Sequence, residues 1–158
     1  MRTRIAITGS LLALGTALAP VAANAEGDLP APEVSFVHQN VIVTGAHQDE
    51  ATVLAKYRCY GGEEGTHLWV SVKQGDNLEA EGSSQWATSW YDTNYQWAEN
   101  PAGQTIDCDG RWHATRFTVK RVEGWGELER GSAWVQFCVY DSEGRAGSFN
   151  GYKTVKIS

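Results

Sequence analysis

The chain has 158 residues with 19 acidic against 13 basic side chains, and its formal charge of −6 argues against nucleic acid or an anionic membrane surface as partner. Seven tryptophans and six tyrosines are a stronger signal than the charge, and all of them lie beyond residue 25. Three cysteines are too few for a disulfide-built scaffold, so a hydrophobic core must carry the fold.

The opening segment "MRTRIAITGSLLALGTALAPVAANA" places Arg2 and Arg4 before an apolar stretch and ends in Ala23-Asn24-Ala25, the pattern of a cleaved secretory signal over residues 1–25. Gly15 and Pro20 interrupt a stretch already short for a membrane span. No cysteine near the cut offers a lipid attachment point, so the expected product is extracellular and has no membrane anchor. Its loss of Arg2 and Arg4 leaves it more acidic still. Residues 26–33, "EGDLPAPE", are polar and carry two prolines, which reads as a flexible leader. What remains, residues 34–158, is the right size for one domain with a core of its own.

From Val34 onward, period-two patterns dominate. Weak runs at Val34 to Val37 and Val41 to Thr44 come first. In "ATVLAKYRC", Val53, Ala55, Tyr57 and Cys59 share a face opposite Lys56 and Arg58. In "HLWVSVKQ", Leu68, Val70 and Val72 oppose His67, Ser71 and Lys73. The stretch "SSQWATSWYDTNYQWAEN" fits a helical stripe or a strand face, and its Ser, Thr and aromatic content favours strand and loop. A weak run at Gln104 to Cys108 follows. "WHATRFTVKRV" sets Thr115, Phe117 and Val119 inward, and "AWVQFCVY" sets Ala133, Val135, Phe137 and Val139 against Trp134, Gln136, Cys138 and Tyr140. With the closing run "GYKTVKIS", about seven to nine short antiparallel strands separated by Gly, Asp and Asn turns predict an all-β sandwich.

The carboxyl-terminal "GSAWVQFCVYDSEGRAGSFNGYKTVKIS" resembles the last hairpin of bacterial immunoglobulin-like domains, where a strand reaches an Asp-x-x-Gly turn and a final strand returns. Together with "YRC", "HLWVSVKQG" and "CDGRWH", the chain resembles a group of small secreted actinobacterial proteins of unknown function. That resemblance implies an immunoglobulin-like sandwich and an extracellular address, and it brings no catalytic residues with it.

Two of the three cysteines are expected to pair outside the cell. Cys59 lies on the apolar face of its strand and Cys108 shares a face with Ile106, whereas Cys138 follows the inward Phe137 and should point outward. Parity therefore favours Cys59 with Cys108, a pairing that the "YRC" and "CDG" resemblance also implies. The immunoglobulin analogy instead joins Cys59 to Cys138, and both pairings stay open at this level.

Chemistry-bearing patterns are sparse. His38, His47, His67 and His113 are scattered without metal-ligand spacing, and the "HQDE" turn lacks the calcium-loop pattern, so neither metal nor cofactor is expected. The serines have no G-x-S-x-G elbow, and the carboxylates Asp92, Glu99, Asp107 and Asp109 form no distinctive pair. A non-enzymatic protein is the expectation. The aromatics are left: Trp69 and Trp134 fall opposite the apolar face of their strands, and Trp86, Trp90, Tyr91, Tyr95 and Trp97 crowd into twelve residues of polar sequence. Such rings either pack under a loop or form a contact surface, and the five of the Trp86 to Trp97 segment are the candidate ligand-binding residues.

The expected function is a secreted, non-catalytic binding module for an extracellular protein or glycan. The alternatives are a carbohydrate-binding module using surface Trp and Tyr, and a secreted hydrolase inhibitor presenting the "YGGEEGTH" loop. A small-molecule carrier like the actinomycete chromoprotein apoproteins would need two disulfides, which three cysteines cannot supply.

Overall fold

Alternation in the sequence becomes seven strands in the computed structural model, which describes residues 29–62, 66–79, 83–93, 106–141 and 143–158. They are β1 (Glu33–Thr44), β2 (His47–Arg58), β3 (His67–Gly75), β4 (Ala87–Asp92), β5 (His113–Arg121), β6 (Gly131–Tyr140) and β7 (Ala146–Ile157), with a 3-10 turn, Ser83–Trp86, ahead of β4. The expected signal peptide lies outside the described residues.

The hydrogen-bonded order is β1-β2-β5-β4-β3-β6-β7, and β7 returns to β1, so the ring is closed. Where the strand pattern predicted two stacked sheets, the strands form a closed seven-stranded barrel. Two seams complete the closure. One is parallel, pairing Asn40 to Val43 of β1 with Thr154 to Ile157 of β7. The other is a two-pair contact, Tyr91 with Arg121 and Asp92 with Lys120, between β4 and β5. All other ladders are antiparallel and longer. Closure satisfies backbone groups that an open edge would present to other chains.

β1 reaches both of its neighbours by bending. The two weak runs of the sequence are one strand, with register shifts against β2 between Val34 and Phe36 and between Val37 and Val41. Ile106 to Cys108, expected in a further strand, are irregular, and 104–105 lie outside the described residues. The end of the expected leader is held in place: the Leu29 carbonyl accepts a hydrogen bond from the Arg145 guanidinium. Pro32 is buried, and Gly147 accommodates it, since a Cβ there would stand 2.4 Å from the Pro32 oxygen.

The inward residues are those that alternation selected. Val53, Ala55 and Tyr57 of β2, Val70 and Val72 of β3, and Val135, Phe137 and Val139 of β6 are all almost fully buried. At the centre, the rings of Tyr57, Phe117 and Phe137 meet with centroids 5.3 to 6.4 Å apart. Beside them Cys59 and Cys108 form a disulfide with Cα atoms 4.4 Å apart, and Cys138 is a buried free thiol. The pair is the one that parity favoured, although Cys59 lies just past the end of β2 and Cys108 in an irregular segment. Gly62 N–H donates to the Cys108 carbonyl and Gly110 N–H to the Cys59 carbonyl, so backbone bonds flank the bridge.

The β6–β7 hairpin is fastened by Asp141. Its buried carboxylate accepts from the backbone N–H groups of Glu143 (3.0 Å) and Arg145 (2.8 Å) and from the Arg145 guanidinium at 2.7 Å. Burial works to raise the pKa of this acid, but the bonds from Arg145 and Glu143 outweigh it and hold the carboxyl below its ordinary value. A depressed folded pKa contributes stability above the unfolded value of about 3.9, and that contribution is lost as pH falls through the folded pKa. Asp141→Asn should therefore cost roughly 1–3 kcal/mol in urea unfolding at pH 7. The gap to wild type should close below about pH 4.

Candidate binding face

Reading the ladders across β4, β3, β6 and β7 sorts their outward side chains into rows, because directly paired residues share a face. Lys73 pairs with Trp90 on one side and with Trp134 on the other, and Trp134 pairs with Tyr152. One row thus runs Trp90, Lys73, Trp134, Tyr152, roughly 14 Å long at ordinary strand spacing. The next row is Asp92, Ser71, Gln136, Asn150, and beyond it lie Trp69, Cys138 and Ser148.

The two halves of this face differ. On β3 and β4 it is closed over: Ser71 is fully buried, and Lys73, an outward lysine, is only 4% exposed. The ammonium of Lys73 lies 5.1 Å from the Trp90 ring centroid and 5.7 Å from that of Trp69, and it donates to Gln136 Oε1 at 3.0 Å. Burial lowers its pKa, and the Asp92 charge partly offsets this. The indole N–H groups of Trp69 and Trp90 are buried with no hydrogen-bond partner among the described residues. Each such donor costs about 1–3 kcal/mol, and departures of this kind concentrate at functional sites.

On β6 and β7 the face is open. Trp134 is half-buried, Tyr152 is 46% exposed, and their rings meet edge to face at 5.0 Å and 70°. The half-buried Gln136 and the exposed Asn150 and Ser148 sit beside them, and none of these five side chains is charged. Burial, and after it the nearby Glu79 carboxylate, raises the pKa of the Tyr152 hydroxyl.

The residues singled out in the sequence separate in space. Trp86 is 50% exposed at the end of the 3-10 turn. Gly75 makes that turn possible, for its φ is +143° and a Cβ would lie 2.2 Å from the Trp86 carbonyl oxygen. Trp90 is half-buried against Lys73 and Trp125, the two indoles meeting edge to face at 5.5 Å. Tyr91 corrects the expectation of a surface ring. Strand parity turns it into the core, where its hydroxyl donates to the Gln48 carbonyl and accepts from Leu128 N–H at 3.4 Å. Tyr95 and Trp97 lie outside the described residues. Sequence reasoning placed Trp69 and Trp134 on the outward face but missed Lys73, Gln136 and Tyr152 as their neighbours. The Asp-x-x-Gly turn carried part of the signal, since pairing back from it sets Trp134 opposite Tyr152, whereas no local cue brings Lys73 beside them.

Two other features of the surface are internally neutralised. On β2, Arg58 lies over the Trp112 and Tyr60 rings while pairing with Glu33, and His113 Nε2 meets Asp109 at 2.7 Å. The bond from His113, with that from Arg111 N–H, lowers the Asp109 pKa. These charges largely answer one another around the disulfide loop. An open groove of about 1020 Å³ between Gln48, Arg121, Glu127 and Arg130 is likewise internally paired, Arg121 with Glu127 at 3.2 Å and Arg130 with the Ile157 carbonyl at 2.6 Å. Among the described residues no group of three or more His, Cys, Asp or Glu is arranged to hold a metal ion. Comparison with protein-family models, curated proteins and solved structures finds no match to this chain.

Proposed function

We propose that the protein is a secreted, non-catalytic binding module whose contact surface is the outward face of β6 and β7, centred on Trp134 and Tyr152. The observation that carries this reading is the aromatic row continued by Lys73 and Trp90, with partly exposed rings at one end and a buried, hydrogen-bonded support at the other. Rings with an apolar body and a polar edge, held rigid by neighbours, lose little entropy on binding and are common anchors of recognition surfaces. The disulfide is in keeping with an oxidising, extracellular location.

An immunoglobulin-like scaffold is part of the proposal. Cut at two places, between β4 and β3 and between β7 and β1, the ring becomes β1-β2-β5-β4 and β3-β6-β7, the strand order of a constant-type immunoglobulin sandwich. β4 departs from that arrangement, since it bonds more extensively to β3 than to β5, and a division at the thin β4–β5 seam places it in the sheet of β3, β6 and β7.

The test is retention on the insoluble wall and secreted material of the producing cells. Trp134→Ala with Tyr152→Ala should reduce the bound fraction by about tenfold or more while leaving the β-sheet circular dichroism intact. Retention equal to wild type would remove this face from consideration.

A further inference from the structure

We infer that the ligand of this face is an uncharged polysaccharide chain, stacked on Trp134 and Tyr152 and hydrogen-bonded by the amide of Gln136; the inference rests on the binding face proposed above. The argument begins with Lys73. An ammonium can only donate, so the Gln136 atom it meets at 3.0 Å must be the amide oxygen, and Ser71 Oγ approaches the same oxygen at 3.4 Å. This fixes the orientation of the side-chain amide. The oxygen is used on the protein side, and the NH2 group, which has no hydrogen bond to any described residue, is left for an acceptor outside. Lys73 is thus a positioning residue: buried beside two indoles, it acts on a ligand only through Gln136.

The rest of the surface matches a polyol. Aromatic faces take the apolar C–H side of a sugar ring, while the Gln136 NH2 can donate to a sugar hydroxyl, the Tyr152 oxygen can accept from one, and the Asn150 amide and Ser148 hydroxyl can do both. The acidic chain, with the Glu79 carboxylate near enough to raise the Tyr152 pKa, disfavours a polyanionic glycan. Ring geometry narrows the choice further. Trp134 and Tyr152 are inclined at 70°, so the two cannot lie together on one plane. They form a floor and a wall, which suits a single chain that turns as it passes and does not suit the flat face of a crystalline polymer.

The experiment uses the full exported protein with soluble xylan, mannan, amylose and mixed-linkage β-glucan, with polygalacturonate as the acidic comparison and crystalline cellulose as the flat one. Binding is read by calorimetry and by tryptophan fluorescence. At least one neutral soluble chain should bind, polygalacturonate and crystalline cellulose should not, and Tyr152→Ala should weaken binding by about tenfold. Lys73→Met and Gln136→Ala should each weaken it several-fold, and the double variant should be no weaker than Gln136→Ala, as expected when one residue acts through the other. Lys73→Arg should restore part of the loss. Because Lys73 is buried, each variant is accepted only if its circular dichroism matches wild type, and Tyr152→Ala, at an exposed position, keeps the test available if the Lys73 variants unfold. Binding to none of the neutral chains, while the Trp134→Ala/Tyr152→Ala protein still loses retention on cell material and protease treatment of that material abolishes wild-type retention, would overturn the glycan and leave the face. Unchanged retention of the double variant would sink both. Additive losses in the Lys73/Gln136 pair would overturn the positioning role.

Discussion

Cys59→Ala with Cys108→Ala should lower the unfolding free energy by about 4 kcal/mol, the loop-closure value for the 49-residue separation of the two cysteines. For a domain of this size that corresponds to a fall in melting temperature of roughly 10–20 °C. The bridge ties the end of β2 to the segment entering β5, and these strands are already joined by eight residue pairs. The expected loss therefore comes mainly from the greater freedom of the unfolded chain. Thermal unfolding of the oxidised wild type, the reduced wild type and the double variant checks this, and the last two should coincide. Equal melting temperatures in all three would contradict the account. Thiol titration supplies an independent check, since Cys138 is buried and burial raises its pKa, partly offset by its bond to Tyr140. The oxidised native protein should react slowly, and the denatured protein should release one thiol.

Phe137→Ala should cost about 3–5 kcal/mol in urea unfolding, with an unchanged slope if the transition stays two-state. Phe137 has no exposed surface, and its ring lies 5.3 Å from Phe117 and 6.4 Å from Tyr57, so its removal leaves a cavity bounded by three different strands. Tyr57 cannot readily collapse into that space, because its hydroxyl accepts the Asp107 backbone N–H at 3.1 Å and is tied to the loop that carries Cys108. Phe137→Leu, which keeps most of the volume, should lose much less. A loss under about 1 kcal/mol for the alanine variant would mean that the barrel centre relaxes freely, contrary to the packing of three aromatic rings. Trp134→Ala, three residues away on the opposite face, should change binding far more than stability.

The inward sets of β2, β3, β5 and β6 were legible because a two-residue period assigns each side chain to a face without reference to the rest of the molecule. The Cys59–Cys108 pair was favoured but not fixed, because Cys108 lies in an irregular segment where a two-residue period does not apply. Tyr91 was not. In the aromatic-rich stretch around it the sequence marks clustering, whereas exposure depends on strand parity, and β4 turns Tyr91 inward and Trp90 outward. Parity places Lys73 opposite the apolar face of β3, and nothing in a period-two pattern says that Trp69 and Trp90 enclose it.

Local sequence thus determined that the chain is built of strands and which face of each carries the apolar residues, and it narrowed the partners of Cys59 to two. The tertiary structure alone decided that the ring closes through the β1–β7 and β4–β5 seams, and that Trp90, Lys73, Trp134 and Tyr152 form one row. The physical reason is that side-chain alternation is a property of a single strand, the same in a sandwich and in a barrel. Closure and cross-strand neighbours depend instead on long-range pairing and register.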